Sequence, residues 1–163
     1  MIATFIIETL LAIYTVWRYK LDTLGRLITA SLLFLGLFQL SEYFVCGGWG
    51  VQAADWSRTG YAAITMLPPL GLHMMHVLAK KPQRKLVVAA YTTAAGFITY
   101  FLVAPHAFQG YACTGNYVIF QLGLYPSYAY GLYYYGWLLT ELALGVRWSK
   151  ELLKRGSKTL RQL

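Results

Sequence analysis

The run LVVAAYTTAAGFITYFLV, residues 86–103, carries no charged side chain at any position. A helix on the surface of a water-soluble protein needs a polar stripe along one side, and this run offers none. As a helix it would be about 27 Å long, close to the ~30 Å thickness of the hydrocarbon core of a bilayer. Its apolar residues are continuous rather than alternating, unlike the strands of a membrane β-barrel. The run therefore predicts a membrane-spanning α-helix.

Composition extends this prediction to the whole chain. Of its 163 residues, 58% are hydrophobic and 12% are charged, and the mean hydropathy is +0.48. About a quarter of the residues in a soluble domain are charged, and a chain this short cannot bury so much apolar surface in one core. We predict an all-α integral membrane bundle of five transmembrane helices over residues 1–146, followed by a basic cytoplasmic tail over residues 147–163. The predicted spans are residues 2–17, 27–46, 59–79, 86–104 and 117–146.

The positions of the basic residues predict the orientation. The chain has 14 Lys and Arg residues, and all except Arg58 fall in the turn after span one, the turn after span three, or the tail. With five spans, these two turns and the tail fall on the same side of the membrane, and basic residues mark the cytoplasmic side. We therefore predict a cytoplasmic C-terminus and an outside N-terminus. The protein is predicted to be a multi-pass protein of a prokaryotic inner or cytoplasmic membrane. Membrane lipids are the expected partners, together with further copies of the chain or a larger membrane complex. Nucleic acid is not expected, since the charges border the spans.

The two cysteines fall on the same predicted side of the membrane. Cys46 ends span two on the outside, and Cys113 lies in the last external loop. A disulfide persists in an oxidising compartment, and two cysteines allow a single pairing. We predict a Cys46–Cys113 disulfide, with two separate small apolar side chains as the alternative.

Polar side chains inside spans are the first candidates for function, because they are expensive to place in lipid. Gln39 and Glu42 lie one turn apart on span two. Counted at 1.5 Å per residue, Tyr100 of span four and Gln121 and Tyr125 of span five reach a similar depth. We predict that these five residues form an outward-facing ligand-binding site, and the alternative is a structural hydrogen-bond network.

A second polar group is predicted near the inner end of the bundle. His73 and His76 share one face of span three, and Glu141 lies near the inner end of span five. Imidazole and carboxylate groups are metal ligands, so these three residues form a candidate metal site. Paired structural histidines are the alternative.

Prolines interrupt span three. Pro68 and Pro69 lack backbone N–H groups, which frees the carbonyls of Ile64 and Thr65 and predicts a kink. In a membrane such a break needs partners from protein or a cavity, so it also indicates a pocket or a hinge.

Span five combines small and aromatic residues. A stripe of small residues permits close helix approach, and the aromatic side chains suggest either simple packing or a hydrophobic site for a lipid or a quinone. The small residues are Gly123, Ser127 and Gly131, and one aromatic face contains Tyr130, Tyr134 and Trp137.

Several classes of chemistry are not expected. The predicted spans contain no lysine, which excludes a retinal Schiff base, and no CxxCH motif is present for c-type haem. A phosphate loop, a nucleophile elbow and an HExxH motif are likewise missing from the sequence, so a dedicated kinase or ATPase is not predicted. The identity of any cofactor stays open.

Three short motifs carry a resemblance to known proteins: FQLSEY at 38–43, RTGY at 58–61 and LPPLGLH at 67–73. In these the chain resembles small uncharacterised prokaryotic multi-pass membrane proteins. The layout of residues 25–140 is more loosely similar to the N-terminal multi-helix membrane sensor region of histidine kinases, which implies signal input from outside the cell. That region has seven spans rather than five, and no kinase follows Arg147, so a signalling role would need a separate partner.

Taken together, these features predict a sensor-like or ligand-binding membrane protein rather than an enzyme. The alternatives are a structural or accessory subunit of a larger membrane complex, and a membrane metalloprotein or redox protein that uses His73 and His76.

Overall fold

A computed structural model of the chain describes residues 1–19, 21–47, 53–81, 84–104, 106–115 and 117–160. Within these ranges it is mostly helical, as predicted, and contains one small sheet. The helices are α1 (Ile2–Arg18), α2 (Thr23–Gly47), α3 (Ala53–Thr65), α4 (Leu67–Leu78), α5 (Arg84–Val103) and α6 (Leu124–Leu160), and the strands are β1 (Phe108–Thr114) and β2 (Tyr117–Leu122).

Two of the described helices are long and apolar enough to cross a membrane, namely α2 with 25 residues and α5 with 20. Helix α1 has 17 residues, and the predicted third span is divided into α3 and α4, with 13 and 12 residues. Helix length and composition therefore support two spans directly. They do not by themselves establish five.

A β-hairpin replaces the start of the predicted fifth span. Residues 117–122 form β2, which pairs antiparallel with β1, and Thr114 lies opposite Tyr117. The prediction of a continuous helix over 117–146 is wrong here, because the β-branched and aromatic side chains of YVIFQL favour a strand and a Gly-Asn pair at 115–116 favours a turn before it. Pro126 then falls in the first turn of α6, where a missing N–H does no harm.

The helices pack in an arrangement with α1 at one flank. Helix α1 lies on α2, α2 on α3 and α4, and α5 contacts α3, α4 and α6. Helices α2 and α3 lie close together at Gly60, where a Cβ atom would lie 3.0 Å from Cβ of Ser41. A larger residue at position 60 would push these two helices apart.

Helices α4 and α6 run parallel in a fixed register. Three contacts show this register, because in each of them the residue of α6 is numbered 70 higher than its partner in or just after α4. The pairs are Gly71 with Glu141, Met75 with Gly145, and Lys81 with Glu151. The parallel direction is the one that two odd-numbered spans would have.

Cys46 and Cys113 form a disulfide, as predicted, with their Cα atoms 5.9 Å apart. The bond joins the C-terminal end of α2 to β1. It therefore holds the hairpin against the same end of the bundle at which α2 finishes.

Candidate ligand site

Glu42 is the most deeply buried of the predicted site residues, with 3% of its surface exposed. Its Oε1 atom accepts a hydrogen bond from the backbone N–H of Val118 at 3.1 Å. Val118 is on β2, so the carboxyl group supplies the acceptor that a further strand would otherwise provide. Glu42 thus fastens the hairpin to α2 beside the disulfide.

The other residues of the predicted outer site are less buried. Gln39 is half-buried, whereas Tyr100, Gln121 and Tyr125 are exposed, Tyr125 to 84%. Gln121 lies on β2 opposite Gly110 rather than on a helix. The predicted depths were counted along a helix, whereas the rise per residue and the side-chain direction at Gln121 are those of a strand. Of the five residues, only Glu42 is buried.

An aromatic core lies next to Glu42 and draws on several elements. The ring of Tyr61 in α3 contacts rings from α5, both strands and α6, at centroid distances of 5.0–5.4 Å. Such edge and tilted contacts stabilise aromatic clusters beyond simple area burial. The partner rings are Phe101, which is fully buried, Phe108, Phe120 and Tyr130.

A groove of about 440 Å³ opens between β2 and α6 beside this core. The residues that matter most are Val118, which Glu42 holds in place, Tyr130 and Tyr134 on α6, and Gly131 between them. A Cβ atom on Gly131 would meet no other atom within 4 Å, so nothing in the described structure fills the groove at that point. Phe38, Tyr61, Ile64, Ile119, Phe120, Leu122, Ser127 and Tyr135 complete the walls.

The break between α3 and α4 adjoins this groove. The carbonyl of Thr65, which the prolines leave without its helical donor, accepts a hydrogen bond from the Tyr133 hydroxyl at 2.7 Å. The Thr65 hydroxyl donates to the Tyr61 carbonyl at 2.5 Å and lies 3.2 Å from the Tyr130 hydroxyl. The predicted interruption is therefore present, and tyrosines of α6 provide its partners. Pro68 is fully buried just beyond it.

The inner polar residues do not form the predicted metal site. Among the described residues, no three His, Cys, Asp or Glu side chains lie close enough together to hold a metal ion. Nδ1 of His76 lies 2.7 Å from the carbonyl of Leu72, and Nδ1 of His73 lies 3.4 Å from the Tyr91 hydroxyl. The carboxyl group of Glu141 instead lies against α4, where a Cβ atom on Gly71 would be 2.9 Å from its Oε2 atom.

The sequence interpretation missed the role of Val118 and the groove beside it. The available signal was the run YVIFQL at 117–122, whose β-branched and aromatic side chains favour a strand. This short signal is easily lost when an apolar helical run follows directly.

Comparisons with known proteins do not place the chain in a family, since no family model, curated protein or solved structure matches it. The resemblance to small prokaryotic membrane proteins and to kinase sensor regions stays an expectation. Fold and site together define a helical protein with two helices of membrane-spanning character and an aromatic groove under a disulfide-linked hairpin.

Proposed function

We propose that the chain is an integral membrane protein with five crossings, formed by α1, α2, the broken pair α3–α4, α5 and α6. The surface supports this proposal. Large apolar side chains on α1 and α6, including Leu10 at 59% exposure and Leu132 at 78%, face outward. Exposed apolar surface of this extent is unfavourable in water and suits contact with lipid chains.

The distribution of charge supports an outside N-terminus. The parallel register of α4 and α6 puts the turn after α4 beside the start of the tail, where Lys81 pairs with Glu151. The hydrogen bond from Lys81 lowers the pKa of Glu151, which keeps this pair charged. At the opposite end, the Arg58 guanidinium donates to the carbonyl of Leu102 at 2.8 Å, in the last turn of α5. A cation at a helix C-terminus is stabilising there, which accounts for the one basic residue on the predicted outer side.

Reporter fusions test this topology. Tags inserted at positions 20, 53, 83, 110 and 163 should alternate inside, outside, inside, outside and inside. A tag that reports only from the cytoplasm is compared with one that reports only from the outside at each position. A cytoplasmic signal from position 53 or 110 would contradict the arrangement.

We propose that the protein binds a hydrophobic ligand from the outer half of the bilayer, of lipid or quinone type, in the groove between β2 and α6. The observation that carries this proposal is the unfilled space at Gly131, bordered by tyrosine rings and apolar side chains. The volume of about 440 Å³ is within the ~300–1,000 Å³ that small-molecule sites usually have. Tyrosine hydroxyls offer hydrogen bonds to a carbonyl or hydroxyl of the ligand.

The groove also touches elements that could respond to a ligand. One wall is the hairpin strand that Glu42 holds, and Tyr130 connects the groove to the helix break through Thr65. A ligand that moves either element would change the outer half of α6, which continues to the cytoplasmic tail. This supports a sensor-like role, with a separate partner as the recipient of the signal.

Filling the groove tests ligand binding. Gly131→Leu should fill part of the groove, because Gly131 lines it and a Cβ atom at this position meets nothing within 4 Å. Gly96→Leu is the matched control, since Gly96 also has open space around it and does not line the groove. Both variants should fold with similar melting temperatures, and only Gly131→Leu should lose co-purifying small molecules in native mass spectrometry.

A short-chain benzoquinone serves as an added probe, with quenching of protein fluorescence as the readout. Gly131→Leu should weaken quenching at least tenfold, while Gly96→Leu should match the wild type. Equal binding by both variants, together with equal retention of co-purifying molecules, would contradict the proposed site.

The second candidate function is an accessory subunit of a membrane complex. The outward face of α6 favours it, because Gly136 has open space around it and lies in a shallow groove with Ser127 and Leu139. Small residues on an exposed helix face allow another helix to approach closely. Gly136→Leu should then disrupt a native assembly while leaving the isolated chain folded.

A further inference from the structure

A second cavity lies at the opposite end of the bundle, between α4 and α5. It has a volume of about 530 Å³ and is separate from the aromatic groove, with which it shares no lining residue. Its walls are apolar at Val77, Val87 and Val88. Lys80 and Arg84 are its charged residues, and none of the described residues that line it is acidic.

The two cations at this cavity are not used by the ion pairs of the described structure. Those pairs engage Glu151 with Lys81 and with Arg147. Lys80 and Arg84 are both exposed, and they flank the gap between the end of α4 and the start of α5. Within the described part of the chain, the positive charge at the cavity therefore has no acidic partner in an ion pair.

Two histidines add hydrogen-bonding capacity to the lining. His76 is buried, with 4% of its surface exposed. Its Nδ1 atom is close to the Leu72 carbonyl, and its ring packs edge-on against the ring of Trp148. Its Nε2 atom is buried and has no hydrogen-bond partner in the described part of the chain. A buried polar atom of this kind normally has a partner, so His76 is an exception among the described residues. His73 lines the same cavity one turn earlier.

The backbone at Lys80 is the least expected feature of the site. Helix α4 ends in a Schellman motif, in which Lys80 N–H donates to Val77 and Lys81 N–H donates to His76. Lys80 itself has a φ of 51°, which is the left-handed conformation that glycine usually adopts at this position of the motif. A lysine in this unusual backbone conformation suggests that its side chain has a function at the cavity.

We propose that this cavity binds one anionic phospholipid, with the phosphate between Lys80 and Arg84 and the start of an acyl chain against Val77, Val87 and Val88. Basic pockets between helices at the cytoplasmic side recognise such headgroups. The apolar wall favours a lipid over a free anion, because a phosphate ion alone would make no favourable contact with the valine side chains. This site is independent of the proposed outer ligand, and it rests on the proposed membrane topology.

The double variant Lys80→Gly and Arg84→Gln tests whether the two positive charges are needed for lipid binding, as distinct from folding. Glycine suits the backbone at position 80, so the melting temperature of the lipid-free protein should stay the same or rise. Binding of phosphatidylglycerol should fall roughly 30-fold, since each basic residue near an anionic headgroup is worth about 1 kcal/mol. The matched control is Arg18→Gln with Lys85→Gln, which removes the same charge from residues that do not line the cavity.

The full-length protein in neutral detergent is titrated with short-chain phosphatidylglycerol or phosphatidylcholine, and bound lipid is counted by native mass spectrometry. One tightly held phosphatidylglycerol in the wild type and the control, lost in the Lys80→Gly and Arg84→Gln variant, is the expected result. Equal binding of the two lipids, or an equal loss in the control, would overturn the proposal. Displacement of the lipid by inorganic phosphate at a similar concentration would also overturn it, because the acyl chain would then contribute nothing.

Discussion

Replacement of Cys46 and Cys113 by serine is expected to lower the free energy of unfolding by about 2–4 kcal/mol. The disulfide closes a loop with a sequence separation of 67, and opening it returns that conformational freedom to the unfolded chain. It also releases β1 from the end of α2. Thermal unfolding of the wild type and the double variant, in the same detergent, measures the difference.

Reductant provides the control for this prediction. It should destabilise the wild type by a similar amount and leave the serine variant unchanged, because no second pair of cysteines exists in the chain. A wild type whose melting temperature does not respond to reductant, with the thiols shown to be free by alkylation, would contradict a stabilising role.

Glu42→Leu should lower the free energy of unfolding by about 1–3 kcal/mol, the cost of a buried hydrogen-bonding group left without a partner. Leucine removes the acceptor of the Val118 N–H and leaves a buried donor unpaired. Glu42→Gln keeps an acceptor oxygen of similar size, so it should retain most of the stability. Melting temperatures of both variants are compared with the wild type.

Glu8→Leu is a matched control for Glu42→Leu, because it makes the same change within another predicted span. The Glu8 Oε2 atom is buried without a hydrogen-bond partner in the described structure, and Glu8 lies beside α2 near Gly36. Its replacement should therefore be neutral or stabilising, since it removes an unpaired polar group. If the two leucine variants were equally destabilised, the Val118 hydrogen bond could not be the cause.

The main helices of this protein, and the break in one of them, could be predicted from the sequence because they depend on local chemistry. The uncharged run at 86–103 forms α5, and Pro68 and Pro69 divide the third predicted span into α3 and α4. Those properties belong to the residues themselves: an apolar side chain avoids water wherever it is, and a proline never donates a backbone hydrogen bond. The cysteine pairing followed equally directly, since only one pairing exists.

The candidate site was only partly readable, because it depends on which segments meet. Glu42 was recognisable as a polar residue in an apolar helix, but its partner Val118 is 76 positions away in a strand. The short run YVIFQL satisfies the patterns of a buried helix and of a strand, and pairing with β1 decides between them. Once it is a strand, Gln121 and the turn before α6 leave the predicted cluster.

Sequence alone thus determined an apolar helical chain, a broken third segment, a single possible cysteine pairing and a strong asymmetry of basic charge. Tertiary structure alone decided that Tyr133 pairs with the Thr65 carbonyl, that Glu141 packs on Gly71 rather than joining the histidines, and that an open groove remains beside Gly131. The physical reason is that hydrogen bonds and cavities depend on angstrom-scale distances between segments far apart in the chain. Periodicity and composition report only the preferences of each segment by itself.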